Sequence, residues 1–337
     1  MAKAEDIRGL DCEASVLDGA GLVLRARLEE MCALRANALN WDDIEGVHDM
    51  RVASRRLRSA LLDFTPYLRK RVSQKRLKSI ASALGAVRDE DVAIVALKKL
   101  RTEVTADVGA GIEQIMEERR ARRQRARLDL ERAIAEESLA KLQTDFVARL
   151  ERATRRSNGK RARGGNGSLI NVSFRQAGRD TVLARFEELQ SLSGSLYRPC
   201  ETEPLHRMRI AAKKLRYAIE LFAPCWGAQL ASFAQEVAEL QKSLGELHDC
   251  DVWIADVGAR LLWHQRAEAN DVADAYSRER RAAIWLLRYF VKERTRHFRD
   301  ALARWHEWET NDFSPRLVES LDAINTSIEL QPVMTLS

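Results

Sequence analysis

Apolar residues recur every three to four positions along nearly the whole chain, the spacing of one buried helix face. The pattern predicts helices near 13–39, 46–65, 69–103, 105–137 and 139–156, and again near 172–192, 203–223, 228–262 and 266–309. A loose tail containing Pro315 and Pro332 is expected to follow. Between the two sets, Ser157 to Ser168 is built from glycine, asparagine and basic residues without any period, which predicts a flexible linker. The expected organisation is a helical half over 1–156, a linker over 157–168, a second half over 169–310 and a tail over 311–337. Composition points the same way. Among 337 residues there are only 16 glycines and 6 prolines, 45% are apolar, and Ala, Leu, Arg and Glu dominate, so the fold class is all-α.

The halves resemble each other. Val47-His48-Asp49-Met50-Arg51-Val52-Ala53-Ser54-Arg55-Arg56-Leu57-Arg58 aligns with Leu205-His206-Arg207-Met208-Arg209-Ile210-Ala211-Ala212-Lys213-Lys214-Leu215-Arg216, 158 positions on. A second pair, Leu84-Gly85-Ala86-Val87-Arg88-Asp89-Glu90-Asp91-Val92 and Leu244-Gly245-Glu246-Leu247-His248-Asp249-Cys250-Asp251-Val252, follows at an offset of 160. Two motifs in one order at nearly one offset indicate an internal duplication.

Charge gains meaning only through its placement, because 56 basic residues face 50 acidic ones and leave a net charge of +6. On a helix, His48, Arg51, Arg55 and Arg58 share one face, as do His206, Arg209, Lys213 and Arg216. The apolar stripe is a different set, Val47, Met50, Leu57, Leu61 and Phe64, mirrored by Leu205, Met208, Leu215, Ile219 and Phe222. Arg56 and Lys214 fall off the row. Neither row contains an interleaved acid, so its like charges repel, and a repeated cost of that kind suggests an anion to hold. Guanidinium forks match phosphate oxygens, and a nearby polyanion would raise a histidine's pKa and recruit it. One cation about every 5 Å, the helix pitch, suits a strand of many phosphates better than one compact ion.

The Leu-Gly element is expected where helices pack closely, with Gly85 and Gly245 giving room and Asp89 and Asp249 acting as caps or ion-pair partners. Arg88 and His248 then add one cation per half, and Lys75, Lys78 and Lys242 lie near enough in sequence to line the same groove. Residues two apart diverge on a helix, so no metal is expected at the Asp-x-Asp pairs.

With both motifs in both halves, the chain resembles the CHAD family, the conserved-histidine α-helical domain, over roughly residues 13–310. The resemblance implies two four-helix bundles related by pseudo-twofold symmetry, binding of inorganic polyphosphate in a basic groove between the repeats, and association with polyphosphate granules. It carries a binding role to His48, Arg51, Arg55, Arg58, His206, Arg209, Lys213 and Arg216, with Arg88 and His248 in second rank. Many relatives carry a further triphosphate-tunnel domain with alternating glutamates on strands. No such segment stands in this sequence, which argues against triphosphatase activity.

The rival readings are a metal-dependent phosphohydrolase and a nucleic-acid binder. His48-Asp49 and His248-Asp249 suggest the first, but across the repeats Asp49 becomes Arg207 and His248 aligns with Arg88, so the duplication keeps positive charge and not ligand pairs. No phosphate loop, zinc motif or nucleophile elbow is present, and no catalytic residue, metal or cofactor is expected. Six arginines between Arg119 and Arg127 support the second, yet Glu113, Glu117 and Glu118 precede them and make a self-paired helix face. None of the seven tryptophans falls on a basic row, so weak nonspecific nucleic-acid binding is the most this rival offers. His264, His297 and His306 share no spacing and are expected in exposed or capping roles. Five scattered cysteines fit reduced thiols. With no apolar leader and no membrane-spanning run, the expected location is the cytoplasm.

Overall fold

The computed structural model describes residues 7–155, 172–267 and 273–323, which leaves the expected linker outside the described residues. Among them the chain is all α-helical: α1 (Val16–Ala33), α2 (Arg35–Ala38), α3 (Ile44–Phe64), α4 (Lys75–Arg101), α5 (Ala106–Ala133), α6 (Glu136–Thr154), α7 (Phe174–Gln190), α8 (Thr202–Phe222), α9 (Ala228–Ala267), α10 (Ala273–Thr310) and α11 (Phe313–Asp322). A lone antiparallel bridge joins Ser15 and Ser173. Local chemistry sets several boundaries. The Ser15 hydroxyl accepts from Leu17 N–H at 3.2 Å to start α1, and Asp43 accepts from Glu45 N–H at 2.9 Å to start α3.

Three expectations need correction. The helix expected over 13–39 breaks at Leu34, whose ψ of 2° leaves the helical region, and resumes as α2. The helix expected from 69 starts instead at Lys75, because Arg69 N–H is drawn to the Ala153 carbonyl at 3.0 Å and holds the preceding segment against the end of α6. The tail is not loose over 313–322. Pro315 lies in the first turn of α11, where a missing N–H costs no helical hydrogen bond, and Phe313, Leu317 and Leu321 are buried.

Contacts divide the chain into two units, Met1–Phe174 with Glu246–His297, and Arg175–Gly245 with Phe298–Ser337. In the first, α1 packs on α3 and α6, α3 on α4, and α4 on α5. Met50, Leu57, Leu61 and Phe64 of α3 are fully or almost fully buried, so the predicted apolar stripe is the core face. A second cluster joins Leu97 and Leu100 of α4, Ile112, Ile115 and Met116 of α5, and Cys250, Leu286 and Phe290 from α9 and α10. Gly111 permits it, since a Cβ there would collide with the Arg278 carbonyl oxygen.

In the other unit, Phe313 stacks on Trp308 at 3.9 Å between centroids and meets Phe186 and Phe233 at 5.5 and 5.3 Å. The indole N–H of Trp226 donates to the Leu321 carbonyl at 3.0 Å. Each aromatic or leucine buried here contributes about 1.5–3 kcal/mol.

One ion-pair arrangement occurs in both units. Glu30 of α1 accepts from Arg27 at 2.7 Å and faces Arg56 of α3 at 3.5 Å. Glu188 of α7 accepts from Arg185 at 3.0 Å and from Lys214 of α8 at 2.5 Å. All three positions recur 158 residues apart. Arg56 and Lys214, which fall off the rows, thus turn inward and lock each row helix to the helix behind it.

Candidate functional site

In the first unit, the site is built on α3 and α4. His48, Arg51, Arg55 and Arg58 all lie half-buried along α3, their stems against the bundle. Arg51 Nη1 donates to Asp89 Oδ1 at 3.0 Å. The same guanidinium lies over Gly85, where a Cβ would rest at 3.8 Å from Nη2. Arg88 reaches back to the start of α3, with Nη1 3.4 Å from both the Ile44 carbonyl and Glu45 Oε1.

The Arg51–Gly85 contact fixes the phase of α4. Gly85 and Asp89 continue at three- and four-residue steps through Ser82 to Lys78 and Lys75, so these two exposed lysines lie on the face of α4 that meets the α3 row. Arg58 makes no ion pair among the described residues, and its Nε has no hydrogen-bond partner there.

The row positions carry no acid of their own, but carboxylates from outside the row spacing reach the site: Asp89 of α4 meets Arg51, and Glu45 meets Arg88. The expected role of Gly85 changes. A Cβ there would make ordinary contact with a side chain, and at Gly245 it would meet nothing within 4 Å, so neither glycine marks a tight helix crossing. Asp89 is an ion-pair partner and not a cap, standing in mid-helix. Each Asp-x-Asp element sends its second carboxylate to an arginine on another helix: Asp91 to Arg123 at 3.3 Å and Asp251 to Arg294 at 2.5 Å.

His48 has its pKa lowered, by burial first and then by the Arg88 and Arg55 charges, against a smaller pull from Glu45 and Asp49. His206 is lowered likewise, by burial, then by Arg209 and Lys213, with Glu203 opposing. Both imidazoles are therefore held toward the neutral form in the unliganded protein.

On α8, in the other unit, His206, Arg209 and Lys213 are half-buried. Arg216 is only 5% exposed, faces Glu220 at 3.4 Å and lies 5.1 Å from the Tyr217 ring centroid, deeper than its spacing implies. Lys242 is exposed on α9, and His248 is half-buried further along that helix, in the part grouped with the first unit.

The arginine run of α5 is occupied. Arg120 pairs with Glu113 and Glu117, and Arg122 with Glu118, as the preceding glutamates predict. Arg125 donates to the Ala121 carbonyl of its own helix at 3.4 Å, while Arg119, Arg123 and Arg127 reach beyond α5. Arg119 bonds Asp256 at 2.7 Å and lies 5.0 Å from the Trp253 centroid, and Arg127 lies 4.7 Å from that of Trp41. Of the off-row histidines, His306 is exposed, but His297 is buried with Nδ1 3.0 Å from Glu246 Oε2, against its expected exposure. The His264 side chain lies outside the described residues. Cys32, Cys200 and Cys250 are free, while Cys12 and Cys225 are disulfide-bonded, which corrects the expectation of reduced thiols throughout. Burial pushes the Cys250 thiol up to about 12. Among the described residues no three His, Cys, Asp or Glu side chains converge as metal ligands, and no helix is long and apolar enough to cross a membrane.

The chain is thus an all-α-helical domain that presents half-buried cations at one-turn intervals along α3 and α8, each row helix backed by an inward ion pair. The chain belongs to the CHAD family, whose sequence profile, the CHAD domain, matches residues 22–257. Its fold is similar to the crystal structure of the CHAD domain from the plant Ricinus communis, with a TM-score of 0.67 at 20% identity, covering 90% of this chain and 96% of that one. It is also similar to PptA from Streptomyces chartreusis, with a TM-score of 0.62 at 17% identity over 87% of this chain and 100% of that chain. No curated protein matches the sequence.

Proposed function

We propose that this protein binds inorganic polyphosphate through the cationic rows of α3 and α8 and has no catalytic activity of its own. The observation that carries the reading is the α3–α4 surface, where Arg51, Arg55 and Arg58 share a row and Lys78 and Lys75 continue the facing side of α4. Family membership supports the choice of ligand, since polyphosphate is the anion associated with CHAD domains. On this reading the halves over 1–156 and 169–310 are two copies of one helical bundle, each supplying a row, with Arg88, His248 and Lys242 as flanking cations. A cytoplasmic location on polyphosphate granules follows from the ligand.

The test is a competition of long-chain polyphosphate against single- and double-stranded DNA at near-physiological salt. Polyphosphate should win, with binding that weakens steeply as salt rises because each phosphate contact releases a counterion. Arg51→Glu and Arg209→Glu should each weaken long-chain binding strongly. Arg120→Glu should change it little, since Arg120 is already engaged by Glu113 and Glu117. If the double reversal at Arg51 and Arg209 leaves affinity unchanged, the site lies elsewhere. Phosphate release above a boiled control, abolished by Asp89→Asn, would overturn the non-catalytic reading.

A further inference from the structure

Two row-facing cations of the first unit already hold carboxylates. Arg51 donates to Asp89 at 3.0 Å, and Arg88 faces Glu45 at 3.4 Å. The carboxylates are the exposed members of these pairs: Asp89 is 69% exposed against 29% for Arg51, and Glu45 57% against 16% for Arg88. A solvent-exposed ion pair adds little to fold stability. Asp89 sits in mid-helix, where it caps nothing, on the same α4 face as Gly85, Lys78 and Lys75. Its position makes sense as a charge placed where a ligand's phosphate would come to rest.

We propose that Asp89 and Glu45 are resident competitors that tune the site against small anions, an inference that rests on the polyphosphate reading above. A phosphate reaching Arg51 or Arg88 must displace or share a carboxylate already bound there. That requirement lowers affinity for every anion by a similar factor. An ion that meets only one or two cations then falls below useful affinity at its ambient concentration. A long chain, which gains the remaining cations of the row as well, stays bound. The two carboxylates thus set the smallest anion that the row retains, by raising the cost of occupying it and not by adding any contact of their own.

The experiment titrates the full chain and its Asp89→Asn, Glu45→Gln and doubly substituted variants with tripolyphosphate and with long-chain polyphosphate, at equal ionic strength. Each substitution should strengthen binding of both ligands roughly two- to fivefold, the range of an exposed ion pair converted to affinity. Orthophosphate should also become a better competitor in the doubly substituted protein. Asp129→Asn serves as the control, because Asp129 pairs with Arg132 at 2.5 Å on α5, off the row, and should change neither titration. A misfolded variant does not gain affinity, so an increase is not a folding artefact. Unchanged or weaker binding in Asp89→Asn and Glu45→Gln, with the wild type binding normally, overturns the inference. An equal gain in Asp129→Asn also overturns it, because net charge then explains the effect. Failure of the wild type to bind long-chain polyphosphate sinks the underlying reading instead.

Discussion

Glu30 Oε1 lies 3.5 Å from Nη1 of Arg56, and this inward pair fixes the rotation of α3 about its own axis. With Arg56 anchored to α1, Arg51, Arg55 and Arg58 are turned away from that helix by about 100–160° around the axis of α3, at roughly 100° per residue. The same relation between Glu188 and Lys214, at 2.5 Å, fixes α8.

Glu30→Ala should therefore be strongly destabilising. It leaves Arg27 and Arg56 with only 9% and 12% side-chain exposure and without their shared carboxylate, a loss of about 3–5 kcal/mol for a buried pair broken on one side. Urea unfolding should show a lower midpoint. Glu188→Ala should cost less, because Glu188 is more exposed than Glu30. A combined Glu30→Met, Arg56→Met variant should recover part of the loss, and failure to recover would assign the cost to something other than stranded charge.

The glycines separate into two kinds. Gly111→Ala should destabilise the first unit, because the new Cβ meets the Arg278 carbonyl and Ala282, neither of which is the far end of a flexible side chain. Gly85→Ala should be neutral or stabilising by up to about 1 kcal/mol, since it gains helix propensity and only touches the Arg51 guanidinium. Thermal melts of the two variants, run side by side, check the contrast.

Phe313→Ala should cost about 3–5 kcal/mol, the usual loss on removing a fully buried aromatic ring. Because Phe313 stacks on Trp308, tryptophan fluorescence should report the change directly. An unaltered unfolding midpoint would mean that α11 is peripheral to its unit.

Polyphosphate affinity should rise as pH falls through the histidine range. His48 and His206 sit below their ordinary value of 6.5 when no ligand is bound, through burial and neighbouring cations. A bound polyanion raises them, so binding takes up protons. The gain is complete below the unliganded pKa and disappears as pH rises through the liganded one. Fold stability has the opposite sense. The unfolded chain takes the proton first, so these two groups cost stability as pH drops below about 6.5. Calorimetry in buffers of different ionisation enthalpy should show proton uptake near pH 6.5, reduced in His48→Gln.

Much of this was legible in the sequence because helices repeat at a fixed period. The apolar stripe from Val47 to Phe64 became the α3 core face, whereas the period placed Arg56 off the row without showing that it turns inward to Glu30. Ala26-Arg27-Leu28-Glu29-Glu30 recurs as Ala184-Arg185-Phe186-Glu187-Glu188, a third repeated signal, and it contains the carboxylates that Arg56 and Lys214 meet. What period cannot supply is the identity of a neighbour from another helix. The pairing of Asp89 with Arg51 spans 38 positions and depends on how α3 and α4 are phased. The burial of Arg216 likewise depends on packing around α8, and α11 was hidden because a proline reads as a breaker until its place in the first turn is known.

The first unit is not one continuous stretch of chain, and residues Glu246–His297 return to complete it. A fragment ending at the linker would retain the whole α3 row yet lack Cys250, Leu286 and Phe290, the partners of Leu97, Leu100, Ile112, Ile115 and Met116. Those five side chains would then lie open to water as a sticky apolar strip along α4 and α5. Dissection of this protein by truncation therefore yields an aggregating species before it yields an isolated repeat.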